Sequence, residues 1–196
     1  MRVIRTILFI LVGIGLLWLV FLLFSKAFSL TGNSNTASTV QQTSLSSYAD
    51  SNAVAAMYID GPVQSNQEHT SLRISVSRSQ TEIELITGYE GQVLRQETFE
   101  NNSNSYTNFL KALKQAQFDR AVKKTVSKDE RGYCPLRNRF IYTLDDGSKS
   151  IIRSWTSTCG TGNFTGNQTL VRQLFVQQIP GTSLQDVLRG SNLSTF

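Results

Sequence analysis

The sequence predicts an α+β fold held outside a membrane: an N-terminal transmembrane helix and a flexible stalk, then an antiparallel sheet, a meander plus a C-terminal hairpin, packed by two main helices. Three observations lead to this prediction. A long apolar run stands near the N-terminus, a polar stretch follows it, and segments with a period of two then precede segments of helical period.

The first element is an apolar run of 18 residues, 7–24, without a charged side chain. A helix of this length covers about 27 Å, which is enough to cross a bilayer. Basic residues precede the run at Arg2 and Arg5, and only Lys26 follows it closely. The positive-inside rule therefore places residues 1–6 in the cytoplasm and the rest of the chain outside.

The alternative is a cleaved secretory signal, because Ser25-Lys26-Ala27 resembles a cleavage site. The run is longer than the usual signal core of about 7 to 15 residues, which favours a single-pass anchor over 7–26 in the cell membrane. Residues 27–53 are rich in Ser, Thr and Asn and predict a disordered stalk. The exported domain is then 54–190, and residues 191–196 form a tail.

Strands are predicted where apolar and polar residues alternate, as they do in 72–77 and 81–85. Polar or glycine-containing turns delimit further strands at 55–60, 92–99, 140–144 and 151–156. The first group forms a meander of three or four strands. The last two form a hairpin around Asp145-Asp146-Gly147-Ser148.

Two helices are predicted from large apolar residues at helical spacing. The first runs from about 105 to 117, with Ser103 or Ser105 as its N-cap. The second carries Leu170 to Ile179, is capped by Thr165 or Asn167 and ends at Pro180-Gly181; a short third helix is expected at about 183–189.

The chain has two cysteines, Cys134 and Cys159, placed symmetrically about the predicted hairpin turn. They should face each other across the open end of the hairpin. In an exported protein this predicts a disulfide, and closing a loop of 25 residues stabilises the fold by about 3.5 kcal/mol.

Glycines at 160, 162 and 166 resemble a nucleotide-binding loop, but their spacing is one residue too long and they follow an antiparallel hairpin. A tight turn before a helix is the better interpretation. The only histidine, His69, lies in a polar loop and is expected to be a surface residue without a role. We therefore predict a non-catalytic protein without a cofactor or metal site.

Charge is unevenly distributed along the exported part. Residues 28–110 hold three basic side chains against eight acidic ones, and residues 111–196 hold thirteen against six. The densest basic group is a candidate anion-binding face: Lys111, Lys114, Arg120, Lys123, Lys124 and Lys128. An anionic envelope polymer, lipid headgroups or an exported protein would suit it, whereas nucleic acid is disfavoured because no free aromatic is interleaved. The alternative is a solvated face.

One segment resembles a known family. Tyr133-Cys134-Pro135-Leu136-Arg137, followed by the hairpin and Cys159, is similar to the reactive-loop region of the bacterial subtilisin-inhibitor family. The resemblance implies a loop in which Leu136 enters a protease's main specificity pocket and the Leu136–Arg137 bond is presented but slowly cut. The disulfide and the proline ring would hold such a loop extended.

The sequence thus predicts a membrane-anchored extracytoplasmic binding module, with a subtilisin-type protease inhibitor and a structural component of a cell-envelope complex as alternatives. The membrane, through the N-terminal helix, is the one partner that the sequence specifies.

Overall fold

An antiparallel sheet of six strands with helices on one face forms the α+β fold, as predicted. The computed structural model describes residues 44–191 and 193. The strands are β1 (Ala53–Asp60), β2 (Thr70–Val76), β3 (Gln80–Thr87), β4 (Gln92–Glu100), β5 (Arg139–Asp146) and β6 (Lys149–Ser157). Their order in the sheet is β4-β3-β2-β1-β5-β6, so the four-strand meander and the C-terminal hairpin join through an antiparallel pairing of β1 with β5.

The helix α1 (Ser103–Gln115) follows the meander, and the helices α2 (Gln168–Val176) and α3 (Ser183–Leu188) follow the hairpin. The N-cap of α1 is Asn102, whose side chain accepts the Ser105 N–H, so the prediction of a serine cap was wrong. An amide oxygen serves this purpose as well as a hydroxyl. The predicted Asn167 cap of α2 is confirmed, since its side chain accepts the Leu170 N–H at 3.0 Å.

The hydrophobic core lies between the helices and one face of the sheet. Alternate residues of β1, from Ala53 to Ile59, point into it, and α1 supplies Tyr106, Phe109, Leu110 and Leu113. The Phe109 and Phe175 rings meet edge to face, with their centroids 5.2 Å apart. This arrangement buries large aromatic side chains from the two main helices in one cluster.

Side chains on both sides of the predicted domain bounds, 54 and 190, contribute to the core. A 3-10 helix at Leu45–Tyr48 precedes β1, and Leu45 and Ala49 are buried in the core. Leu193 is buried as well. These buried side chains stand in segments whose polar composition gives little sign of a core. The predicted anchor, 7–26, lies outside the described residues.

Among the described residues, no helix packs on the other face of the sheet. Because side chains alternate along a strand, this open face presents the even-numbered residues of β1 and the odd-numbered residues of β5 and β6. Tyr58, Asp60, Arg139 and Ile141 all lie on it, together with Arg73 of β2. Charged residues on half-buried strands therefore converge on one surface.

Candidate functional site

A cleft of about 780 Å³ lies over the open face of the sheet. The floor comes mainly from β1, β2 and β5, and includes Val54, Ala56, Tyr58, Arg73, Ser75, Ile141, Thr143 and Asp145. One wall is formed by Val63, His69 and Tyr89, and the other by Glu130, Arg131 and Gly132. The volume falls in the range of small-molecule sites, and the lining combines small apolar residues with charged ones.

A buried cluster of three charged or polar side chains stands at one end of the cleft. Arg139 Nη2 lies 2.6 Å from Asp60 Oδ2 and 3.2 Å from the Gly61 carbonyl oxygen. His69 Nε2 lies 3.0 Å from Asp60 Oδ1. Arg139 is 4% exposed and His69 is 3% exposed, so the expectation that His69 is a surface residue was wrong. The loop that carries it folds back over the end of β1.

Two polar contacts, one at each ring nitrogen, fix the orientation of the His69 imidazole. His69 Nδ1 lies 3.1 Å from the Pro62 carbonyl oxygen, which can only accept, while Nε2 faces the Asp60 carboxyl group. Both contacts are hydrogen bonds when Nδ1 carries a proton toward the Pro62 carbonyl and a second proton lies between Nε2 and the Asp60 carboxyl group. Burial raises the pKa of the Asp60 carboxyl, and the charges of Arg139 and His69 only partly oppose this effect.

Tyr89 stacks on the outer face of this cluster. Its ring lies 4.1 Å from the His69 ring, centroid to centroid, at an interplanar angle of 12°. The turn between β3 and β4 holds it there, since Gly88 adopts φ +68° and its N–H donates to the His69 carbonyl at 2.9 Å. A glycine is favoured at this position because other residues adopt this φ at a cost.

Arginines line the cleft as ion pairs. Each of four lies close to a carboxylate, at 2.5 to 2.7 Å: Arg73 to Glu84, Arg131 to Asp129, Arg139 to Asp60 and Arg153 to Glu130. Such pairs fix the directions of both partners, because the guanidinium presents a rigid fork of donors. The pairing also means that the arginines give the cleft no large excess of positive charge.

The second wall is held by Trp155 of β6. Trp155 is buried on the open face, its Nε1–H donates to the Ser127 carbonyl at 2.9 Å, and its ring packs on Tyr133 at 5.1 Å. Arg153 Nη1 donates to the Lys128 carbonyl at 2.8 Å. The segment 127–133 is thereby tied to the sheet, and it carries the wall residues Glu130 and Arg131.

The predicted disulfide between Cys134 and Cys159 is present, with the two Cα atoms 6.1 Å apart. It closes the open end of the β5–β6 hairpin, whose first pair is Arg139 with Ser157. The Val63 N–H donates to the Pro135 carbonyl at 2.7 Å, which ties the first wall of the cleft to the residue next to Cys134. The bridge therefore fixes the cleft as well as the hairpin.

We expect the double variant Cys134→Ser, Cys159→Ser to lose about 3.5 kcal/mol of unfolding free energy, because its unfolded chain gains the entropy of a 25-residue loop. Urea unfolding of both proteins measures this loss. A reductant should produce a similar loss in the natural chain and none in the double variant. A loss below about 1 kcal/mol would contradict the entropic argument.

The segment predicted as an inhibitory loop is exposed at its centre, since Leu136 is 78% exposed. Its backbone is not extended there. The Arg137 N–H donates to the Cys134 carbonyl at 3.2 Å and Cys134 has φ +49°, which together close a turn. Tyr133 points its ring toward Trp155, on the cleft side.

The six basic residues predicted as an anion-binding face are all exposed. Lys111 and Lys114 lie on α1, on the helical side of the sheet, and Arg120, Lys123 and Lys124 lie in the connection that follows. Lys128 lies on the cleft side, where its carbonyl accepts from Arg153. Lys114 already pairs with Asp119 at 2.5 Å. Lys128 is thus on the opposite side of the sheet from Lys111 and Lys114.

The glycine-rich segment after Cys159 folds back on the edge of β6, as the turn interpretation predicted. Thr156 and Gly162 form an antiparallel bridge, and the Phe164 N–H donates to the Trp155 carbonyl at 2.9 Å. A Cβ atom at Gly162 would lie 2.5 Å from that carbonyl oxygen, so glycine is required by close backbone approach.

Comparison of the chain with known protein families and with curated proteins finds no match. Within 44–191 and 193, no group of three or more His, Cys, Asp and Glu side chains is arranged to hold a metal ion. In the same part of the chain, no helix combines the length and apolar character needed to span a membrane.

Proposed function

We propose that the chain is a membrane-anchored extracytoplasmic binding module and that the cleft on the open face is its ligand site. The anchor rests on the apolar run at 7–24 and on the basic residues before it. The observation that carries the site is the pre-organised cleft, about 780 Å³ in volume, whose charged side chains are already fixed by ion pairs. Pre-ordered groups lose little entropy when a ligand binds.

Binding is favoured over catalysis because the buried imidazole has no free nitrogen. His69 uses Nε2 for Asp60 and Nδ1 for the Pro62 carbonyl. A general base must face the proton that it removes, and neither nitrogen does so without breaking one of these contacts. The cluster therefore acts as a rigid support for the cleft wall.

The test fills the cleft and leaves the core untouched. Ala56 lies on the cleft floor, between Ser75 and Thr143 on the neighbouring strands, and points away from the helices. Ala56→Trp should block the cleft, and tryptophan is well tolerated in strands. We expect binding of the full chain, purified in detergent, to isolated envelopes of its host cell to weaken at least tenfold.

Two controls accompany this test. Ala56→Val adds little volume and should bind like the natural chain. Lys123→Glu with Lys124→Glu reverses two exposed charges outside the cleft and should change binding less than about twofold. Equal binding by Ala56→Trp and Ala56→Val would overturn the assignment of the cleft, and loss in the lysine variant alone would move the site to the basic residues.

A second candidate function is inhibition of a subtilisin-type protease, favoured by the exposure of Leu136 next to the disulfide. A large apolar side chain that is 78% exposed suits a protease pocket. The turn at Cys134 to Arg137 would have to open before the Leu136–Arg137 bond could enter an active site. An inhibitor should lose potency in Leu136→Asp and keep it in Ala56→Trp, whereas the proposed module shows the reverse.

A further inference from the structure

Tyr89 is a large exposed side chain that is held unusually firmly. It is 55% exposed, yet its hydroxyl donates to the Gln64 carbonyl at 3.0 Å and accepts the Gln64 N–H at 3.1 Å. Its own N–H donates to Asn66 Oδ1 at 2.8 Å. The ring is thus fixed at both ends, on a turn that connects two strands.

The ring also has a rigid backing. One face stacks on His69, which is held by Asp60, and Asp60 is held in turn by Arg139. That face of the ring is covered, more than half of the Tyr89 residue is nevertheless exposed, and Tyr89 lines the cleft. A buried network therefore supports one flat aromatic surface at the site.

We infer that the open face of Tyr89 is a stacking platform for a neutral saccharide, an inference that rests on the proposed use of the cleft. A pyranose ring presents a face of C–H groups, whose positive edges complement the negative face of an aromatic ring. An aromatic ring already fixed in place binds such a face without an ordering cost. The ligand class is thus a carbohydrate chain laid against Tyr89.

The polar groups of the cleft agree with this class. Arg73 and Arg153 are each about two-fifths exposed and already paired to Glu84 and Glu130, at 2.7 Å in both cases. A paired guanidinium keeps further N–H donors, and a paired carboxylate keeps further lone pairs. Sugar hydroxyls donate and accept at once, so they match such alternating groups, whereas an anionic ligand would compete with the carboxylates.

The experiment compares two substitutions that both remove the tyrosine hydroxyl. Tyr89→Phe keeps the flat ring, and Tyr89→Leu replaces it with an apolar side chain that is not flat. The probes are neutral hexasaccharides of glucose, of mannose and of N-acetylglucosamine, titrated calorimetrically into the full chain in detergent. We expect at least one to bind, with affinity changed less than about threefold in Tyr89→Phe and lowered at least tenfold in Tyr89→Leu.

Saturation-transfer NMR gives a second readout that needs no variant, because a stacked sugar should receive magnetisation from the Tyr89 ring. Failure of every hexasaccharide to bind, or equal affinities in Tyr89→Phe and Tyr89→Leu, would overturn the inference. The proposed function fails separately: if Ala56→Trp still abolishes envelope binding while no hexasaccharide binds, the cleft is a ligand site and only the saccharide is wrong.

Discussion

Replacing Arg139 by methionine should lower the free energy of unfolding by about 3–5 kcal/mol, because it removes the buried cation that pairs with the Asp60 carboxylate, a side chain only 19% exposed. Arg139 Nη2 contacts both Asp60 and the Gly61 carbonyl, and the side chain is 4% exposed. In a domain of about 150 residues, this loss corresponds to a decrease of roughly 6 to 20 °C in Tm. Calorimetry and urea unfolding both measure it.

Arg153→Met is the matched control. Arg153 lies on the same face of the sheet and pairs with Glu130 at 2.7 Å, but its side chain is 42% exposed. Water screens an exposed pair, so its removal should cost about 1 kcal/mol or less. Similar losses in the two variants would contradict the view that burial makes the Asp60 contact important.

The effect of Arg139→Met should depend on pH in a defined direction. Burial already raises the pKa of Asp60 above its ordinary value of 3.8, and Arg139 is the largest opposing influence. Without Arg139 this pKa rises further, so the folded variant binds the proton more tightly than the unfolded chain does. Its stability therefore falls as pH rises through the folded pKa, and the deficit relative to the natural protein is smaller at pH 4 than at pH 7.

Most of the fold could be predicted because its elements are locally encoded. The period-two pattern from Leu72 to Leu85 and the turn at Gly147 specify strands and a hairpin without long-range information. The symmetric placement of Cys134 and Cys159 about that turn was enough to predict the disulfide. The pairing of β1 with β5 was not predictable, since no local pattern relates strands about 80 residues apart.

The candidate site was missed for the same reason. Asp60 and Arg139 are opposite each other in the register of β1 and β5, and His69 reaches them only because the loop after β1 folds back. In the sequence, His69 stands among polar residues and resembles a surface residue. One signal was available in the sequence: Asp60 and Arg139 are charged residues that each stand at one end of an apolar strand. Once the two strands are known to be neighbours, this placement suggests an ion pair between Asp60 and Arg139.

The basic residues also show that side chains close together in the sequence need not be close together in space. Lys111 and Lys128 are 17 positions apart in a run rich in lysine, but the sheet separates them, with α1 on one face and the segment 127–133 on the other. Charge that is clustered in sequence supports a binding surface only when the elements that carry it share a face. The cleft meets that condition, because adjacent strands and the segment 127–133 bring its charged residues to the same face of the sheet.

Trp155→Ala should be the second large effect, and it connects stability with the cleft. Trp155 is fully buried, and removal of a buried tryptophan costs about 3–5 kcal/mol. The substitution also removes the indole donor to the Ser127 carbonyl, which keeps only the Asn163 amide at 3.2 Å, and the ring on which Tyr133 packs, so the segment 127–133 loses its two contacts with Trp155. We expect faster amide hydrogen exchange throughout that segment and weaker ligand binding, because Glu130 and Arg131 no longer form a fixed wall.

Phe175→Ala separates this effect from a general loss of stability. Phe175 is also fully buried, but it packs against Phe109 and Phe118 on the helical face of the sheet. Its removal should cost a similar free energy and leave exchange in 127–133 unchanged under native conditions. If both variants speed exchange in that segment equally, the wall is stabilised by the core as a whole. If only Trp155→Ala does so, one side chain of β6 holds the wall of the cleft in place.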